Sequence, residues 1–223
     1  MNLLQNTRSL NNKGVELLVS GKSSEASKTF KLALQLLASD EEAKYETDGE
    51  RYDEKVNEEV PELDLSQSLS VVPDLQADHF FVYNQAITIM EATVTNVNDE
   101  AISQHSYAIL FNLALCFHRE GMLGSKKLLV KAAFLYAKCL QILSLDVTAN
   151  SEQIPSSTVL AVVALNNQAQ IHHELSEHSK ALSCMAQVTS MLKRTPSLKC
   201  FTLSLKKALE EILLNTKLSS SAM

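Results

Sequence analysis

The stretch that decides the fold is Leu10-Asn11-Asn12-Lys13-Gly14, followed by Gly21-Lys22-Ser23-Ser24-Glu25-Ala26 and then by Phe30 and Ala33. Leu10, Gly14 and Leu17 recur at helical spacing, so residues 3–20 read as a helix with one apolar face. Gly21 breaks it. Ser23 or Ser24 can cap a second helix through a side-chain oxygen, and that helix runs from about Ser24 to Ala38 with Ala26, Phe30, Ala33, Leu34 and Leu37 inward. Two helices cross closely only where a small residue faces the partner. Here Gly14 and Ala26 are the small residues, and Phe30 one turn later fills the space beside the crossing.

Working outward, the same pattern returns twice. Ala114 is followed by Ala132, Tyr136 and Cys139, and Ala169 by Ala181, Met185 and Val188. The second hairpin spans 98–143: a helix capped by Asn98 or Asp99 runs to Arg119, Gly121 and Gly124 form the turn, and Leu128–Leu143 returns. The third spans 156–192, with a helix to Leu175, a break near Ser176 and a partner helix from Ser179 to Leu192. Pro196 opens a last amphipathic helix over 196–218, whose Leu198, Phe201, Leu205, Leu209 and Ile212 form an apolar stripe suited to covering the end of a stack. The predicted class is therefore all-α.

Between the first two hairpins the helical pattern is lost. From Asp40 to Asp64 there are twelve acidic and three basic residues, a local balance of −9 in a chain of net charge −6, which leaves +3 on the remainder. Residues 39–75 read as an acidic, largely disordered linker, or as a tether that folds back onto the mildly basic helices. Residues 76–97 are too apolar for that and are expected to dock. Phe80-Phe81-Val82-Tyr83 and Ile87-Thr88-Ile89 are rich in aromatic and β-branched residues. They suit a short extended element against the helices, with a helix as the alternative reading.

Composition excludes several function classes. The longest apolar run, Val159–Leu165, is seven residues, against the roughly 20 that a membrane span needs. No secretory pattern is read at the start, and Cys116, Cys139, Cys184 and Cys200 form no CxxC pair; buried reduced thiols and an intracellular location, cytoplasmic or nuclear, are expected. GxxxxGK, GxGxxG and GxSxG are absent, and neither a basic stripe nor exposed stacking aromatics point to nucleic acid. An enzyme would have to use His172, His173, Glu174, Glu177 and His178, where His173/Glu177 and Glu174/His178 are one turn apart; without HExxH or a further ligand at fixed spacing, a metal-dependent enzyme is the distant alternative. No cofactor is expected.

On the residues quoted for the three hairpins, with Leu165-Asn166-Asn167-Gln168-Ala169 and Phe111-Asn112-Leu113-Ala114-Leu115 as the later matches, the chain resembles the tetratricopeptide repeat (TPR) family, arrays of helix–turn–helix units of about 34 residues. The hairpins cover slightly more than half of the chain. Gly14 and Ala114 are 100 residues apart and Ala114 and Ala169 are 55 apart, so the array is interrupted. The resemblance implies a short solenoid with a concave groove that serves as a noncatalytic scaffold for a protein or peptide partner. Asn12, Asn112 and Asn167 stand two residues before each small marker, where similar Asn residues of peptide-binding arrays face the groove. A carboxamide offers donor and acceptor together and suits the main chain of an extended peptide. The same face would carry Val15, Leu115 and Gln170 and then Val19, Arg119 and Glu174. The places of the family's carboxylate clamp read Asn11, Val15, Asn112, Val163 and Asn167, and only Asn112 matches. A structural module that docks a partner helix, or an oligomerisation module, is the alternative.

Overall fold

The computed structural model describes residues 3–45, 63–64, 83–90, 99–145, 156–194, 210–212 and 214–215. Helices dominate these residues: α1 (Leu3–Val19), α2 (Ser23–Tyr45), α3 (Asp99–Met122), α4 (Lys126–Leu145), α5 (Ser156–Glu174) and α6 (His178–Arg194). Two short strands, β1 (Leu63–Asp64) and β2 (Thr88–Ile89), pair antiparallel with Leu63 opposite Ile89. The chain divides into two compact units. The first holds Met1–Asp64 and Ala86–Cys116, the second Leu65–Gln85 and Phe117–Met223.

In the first unit α1 packs on α2 at the Gly14 crossing. A Cβ built on Gly14 would lie 2.5 Å from a ring carbon of Phe30, so only glycine lets that ring close the gap. Ala26, Phe30, Ala33 and Leu18 are buried around it. Gly21 takes the positive φ of 78° that ends α1, a conformation that costs glycine little. The cap of α2 falls on Lys22, whose carbonyl accepts from Ala26 N–H, and not on Ser23 or Ser24. α3 adds Tyr107 and Phe111, stacked 6.0 Å apart and both buried.

In the second unit α4 packs on α5 and α5 on α6. Residues 159–167 of α5 are buried without interruption, so this helix is enclosed and not amphipathic. Ala132, Tyr136 and Cys139 of α4 and Met185 and Val188 of α6 are buried. A Cβ on Gly121 would meet the Leu129 side chain at 2.7 Å and its main-chain nitrogen at 2.9 Å. Ser176 turns the chain between α5 and α6 with φ 60°.

Several boundaries differ from the sequence reading. α2 continues past Ala38 to Tyr45, and Leu63–Asp64 form a strand, so both of these parts of the expected disordered linker have regular structure. The acidic residues of α2's end are tolerated because local helix propensity for Glu, Ala and Lys is high. α3 carries on through Gly121 to Met122, and the Gly121 carbonyl then accepts from Gly124 and Ser125 N–H in the turn to α4, so this glycine serves the turn as well as the close approach of Leu129. Most of the expected 196–218 helix lies outside the described residues; 210–212 and 214–215 are helical, with Ile212 and Asn215 buried.

Candidate main-chain reading site

Thr88–Ile89 form a strand and residues 83–87 are neither helix nor strand, which sets aside the helix reading over these residues; Phe80–Val82 lie outside the described residues. In an extended chain the N–H and C=O of one residue point to the same edge, and residues two apart share that edge. Within the first unit that edge belongs to Ile87 and Ile89, and both are met by asparagines. Ile87 N–H donates to Asn112 Oδ1 (2.8 Å) and Asn112 Nδ2 donates back to Ile87 O (2.8 Å). Ile89 N–H donates to Asn12 Oδ1 (3.0 Å) and Asn12 Nδ2 donates back to Ile89 O (3.0 Å).

Asn11 ties these two rungs together. Its Nδ2 donates to Ile87 O (2.9 Å) and to Asn12 Oδ1 (3.1 Å), and its Oδ1 accepts from Asn112 Nδ2 (2.9 Å). Both Nδ2 protons of Asn11 and of Asn112 are used, which fixes the orientation of each carboxamide. Asn11 and Asn112 are fully buried and Asn12 is half-buried. Ala86, Ile87, Thr88 and Ile89 are buried as well. Thr7 and His105 brace α1 against α3 behind the site: Thr7 Oγ1 donates to Leu4 O (3.1 Å) and lies 2.9 Å from His105 Nδ1. With the hydroxyl proton on Leu4, the His105 Nδ1–H donates to Thr7. Burial, and next the Arg8 charge, lower the His105 pKa to about 4, so the imidazole is neutral.

The second unit carries one rung of the same kind. Tyr83 N–H donates to Asn167 Oδ1 (2.8 Å) and Asn167 Nδ2 donates to Tyr83 O (2.7 Å). The second Nδ2 proton of Asn167 goes to Tyr136 Oη (3.1 Å). Asn166 stands beside it and accepts from Asn215 Nδ2 (2.8 Å). His118 packs edge-on to Tyr136 at 6.0 Å, and its two ring nitrogens are buried without a hydrogen-bond partner. Burial lowers its pKa to about 4.

Of the nine sequence-derived groove residues, three meet a main chain, and the chain they meet is the protein's own. Val15 and Leu115 are buried apolar residues of the first unit, and Val19 is exposed. In the second unit Gln170 is buried and donates to Glu174 Oε1 (3.1 Å), and Arg119 is half-buried. Asn11, Asn166, Asn215, Tyr136, Thr7 and His105 were not among the predicted site residues. A signal for two of them exists: Asn11-Asn12 and Asn166-Asn167 are asparagine pairs inside helices, where that residue is disfavoured unless its side chain has a task.

The His-rich patch resolves into a packing and ion-pair cluster. His172 Nδ1 lies 2.6 Å from Glu177 Oε2, and Lys180 Nζ donates to Glu177 Oε1 at 2.9 Å. The hydrogen bond from Lys180, and then that from His172, hold the Glu177 carboxyl below its ordinary range. His173 and His178 meet edge to face at 5.8 Å. Among the described residues no group of three or more His, Cys, Asp or Glu is placed to hold a metal ion, and no helix is long and apolar enough to cross a membrane. Cys116, Cys139 and Cys184 are buried and in no disulfide; burial pushes the Cys139 pKa upward and that of Cys184 to about 11, which keeps the Cys139 and Cys184 thiols protonated. Cys200 lies outside the described residues.

The described residues form a helical protein in which asparagine carboxamides hold main-chain groups of the chain's own Tyr83, Ile87 and Ile89. Neither a family model, nor a curated protein, nor a solved structure matches the chain.

Proposed function

We propose that this chain is a noncatalytic interaction scaffold of TPR-like helical hairpins, and that Asn12 and Asn112 in the first unit, and Asn167 in the second, each bind extended partner chain by its main-chain groups. One observation carries the reading: at each of these positions a single carboxamide meets both the N–H and the C=O of one residue. Such a rung recognises that a chain is extended, whatever its side chain. At about 1 kcal/mol net per hydrogen bond, a rung contributes roughly 2 kcal/mol, or about 30-fold in affinity. Val15, Val19 and Leu115, and Arg119, Gln170 and Glu174, would then flank the partner's side chains. The test is quantitative capture of partners with crosslinking mass spectrometry, comparing wild type with a folded Asn12→Ala/Asn112→Ala/Asn167→Ala variant, circular dichroism checking the fold. Partners lost from the variant and crosslinked beside the rungs support the reading; an unchanged set of partners and crosslinks sinks it.

A second reading, docking of a partner helix, is favoured by one feature of the second unit. Val130 and Phe134, one turn apart on α4, are 56% and 61% exposed. If partners are lost on Phe134→Asp and kept in the triple asparagine variant, the scaffold works through α4.

A further inference from the structure

The connection between α2 and α3 occupies residues 46–98, whereas helix–helix connections in compact bundles take about 2–8 residues. A connection of that length is uncommon without a task, and the centre of this one supplies the residues held by the asparagines. Tyr83 to Met90 reads YNQAITIM, a stretch with no charge, no glycine and no proline. Absence of proline is a requirement of the site, since each rung needs the N–H of the residue it holds. Absence of charge is a second requirement: Ala86, Ile87, Thr88 and Ile89 are all buried, and an unpaired carboxylate or ammonium there would be strongly disfavoured. The ladder to β1 is only two residues long, so little sheet structure has to be broken for β2 to leave.

We propose that the Asn11/Asn12/Asn112 site of the first unit is a receptor for an uncharged extended segment of another protein with branched aliphatic residues at alternate positions, and that Ala86–Ile89 is its built-in competitor. This rests on the reading of the rungs as main-chain receptors. Of the segment itself the asparagines bind only main-chain groups, so any chain of that shape satisfies them. Selection comes from the enclosed side chains: branched aliphatic groups at the two rung residues, as Ile87 and Ile89, and small or β-branched groups at their neighbours, as Ala86 and Thr88. A tethered occupant acts at an effective concentration on the order of millimolar. A free segment of equal intrinsic affinity therefore binds the intact chain far more weakly than a chain whose tether is cut.

The test uses the full chain with protease sites placed within 46–62 and within 91–98, and a fluorescent peptide of residues 83–90 as the probe. The expected result is that the doubly cut protein keeps its helical circular dichroism and binds the probe at least about 100-fold more tightly than the uncut protein. A probe carrying Ile87→Pro, which lacks the N–H read by Asn112, is expected to fail. Equal binding by cut and uncut protein, or loss of the helical fold on cutting, overturns the competitor and makes the segment a structural strut. Failure of the underlying reading looks different: cut protein carrying Asn112→Ala or the half-buried Asn12→Ala would then bind the probe as wild type does, or the proline probe would bind as well as the native one.

Discussion

The first unit holds its extended segment with a mesh, the second with a buttress. At Ile87 and Ile89, asparagines from two helices, α1 and α3, hydrogen-bond one another as well as the strand, and the Ile87 carbonyl accepts from both Asn11 and Asn112. At Tyr83 a single asparagine does the work and is supported by Tyr136, with Asn215 bonded to its neighbour Asn166. The same two-bond rung therefore has two kinds of support. In the mesh, the strand is part of what joins α1 to α3. In the buttress, the asparagine is positioned by side chains that do not touch the strand's main chain through that network.

The largest expected effects come from removing the fully buried rungs. Asn112→Ala deletes three hydrogen bonds and Asn167→Ala four, and each strands a buried main-chain N–H, for a loss of about 2–4 kcal/mol. Asn11→Ala leaves the Ile87 carbonyl with its Asn112 donor, so about 1–2 kcal/mol is expected. Urea unfolding gives the totals and hydrogen exchange of residues 83–90 gives the location. A mesh predicts that Asn112→Ala speeds exchange at both Ile87 and Ile89; acceleration confined to Ile87 would reduce it to independent rungs.

Acid should act on both units through one buried histidine each. His105 and His118 have folded pKa values lowered to about 4, against about 6.5 unfolded. The unfolded chain therefore takes up protons first. This contribution to stability is fully present above about pH 6.5 and is lost as the pH falls from there toward 4, the loss reaching about 3 kcal/mol per histidine at the low end. Urea midpoints between pH 7.5 and 4.5 check this, and a flat profile would show that neither imidazole is held neutral.

Glycine crossings give the next step down. Gly14→Ala drives a methyl against the Phe30 ring, and Gly121→Ala drives one against Leu129, including its main-chain nitrogen. About 1–3 kcal/mol is expected for each, with Gly121→Ala the worse because a main-chain atom yields less than a ring. Thermal melts of the two variants decide the order.

The packed helix pairs α1–α2 and α5–α6 and the positions of the three rung asparagines were legible because they depend on local spacing, small residues at crossings and a carboxamide at one offset from each, whereas the reading of 98–143 as a hairpin is cut by the division of the chain at Cys116/Phe117. What fills the rungs was only half legible. Tyr83–Ile89 has the β-branched and aromatic content of an extended element, yet periodicity over so few residues does not separate strand from buried helix. Its partners lie far off in sequence, Asn12 77 residues from Ile89 and Asn167 84 from Tyr83, and no local pattern encodes such pairings. The long α2 shows the opposite limit. Its acidic end reads as linker by charge, while helix propensity carried it on to Tyr45.

The smallest expected effect separates the two units by sign. His105 and His118 look alike in burial and in pKa direction, but His105 has a hydrogen bond to Thr7 and His118 has neither nitrogen satisfied. A buried N–H without a partner costs about 1–3 kcal/mol. His118→Phe removes that cost and keeps an aromatic edge against Tyr136, so at pH 7 the second unit should gain about 1 kcal/mol and lose its acid sensitivity. His105→Phe deletes the brace between α1 and α3 and should cost about 1 kcal/mol at the same pH, while also flattening the acid response. Urea midpoints of the two variants at pH 7 and pH 5 read both effects. A destabilising His118→Phe at pH 7 would mean that the imidazole is satisfied in solution, and the contrast between a mesh with a working histidine and a buttress with an idle one would fall.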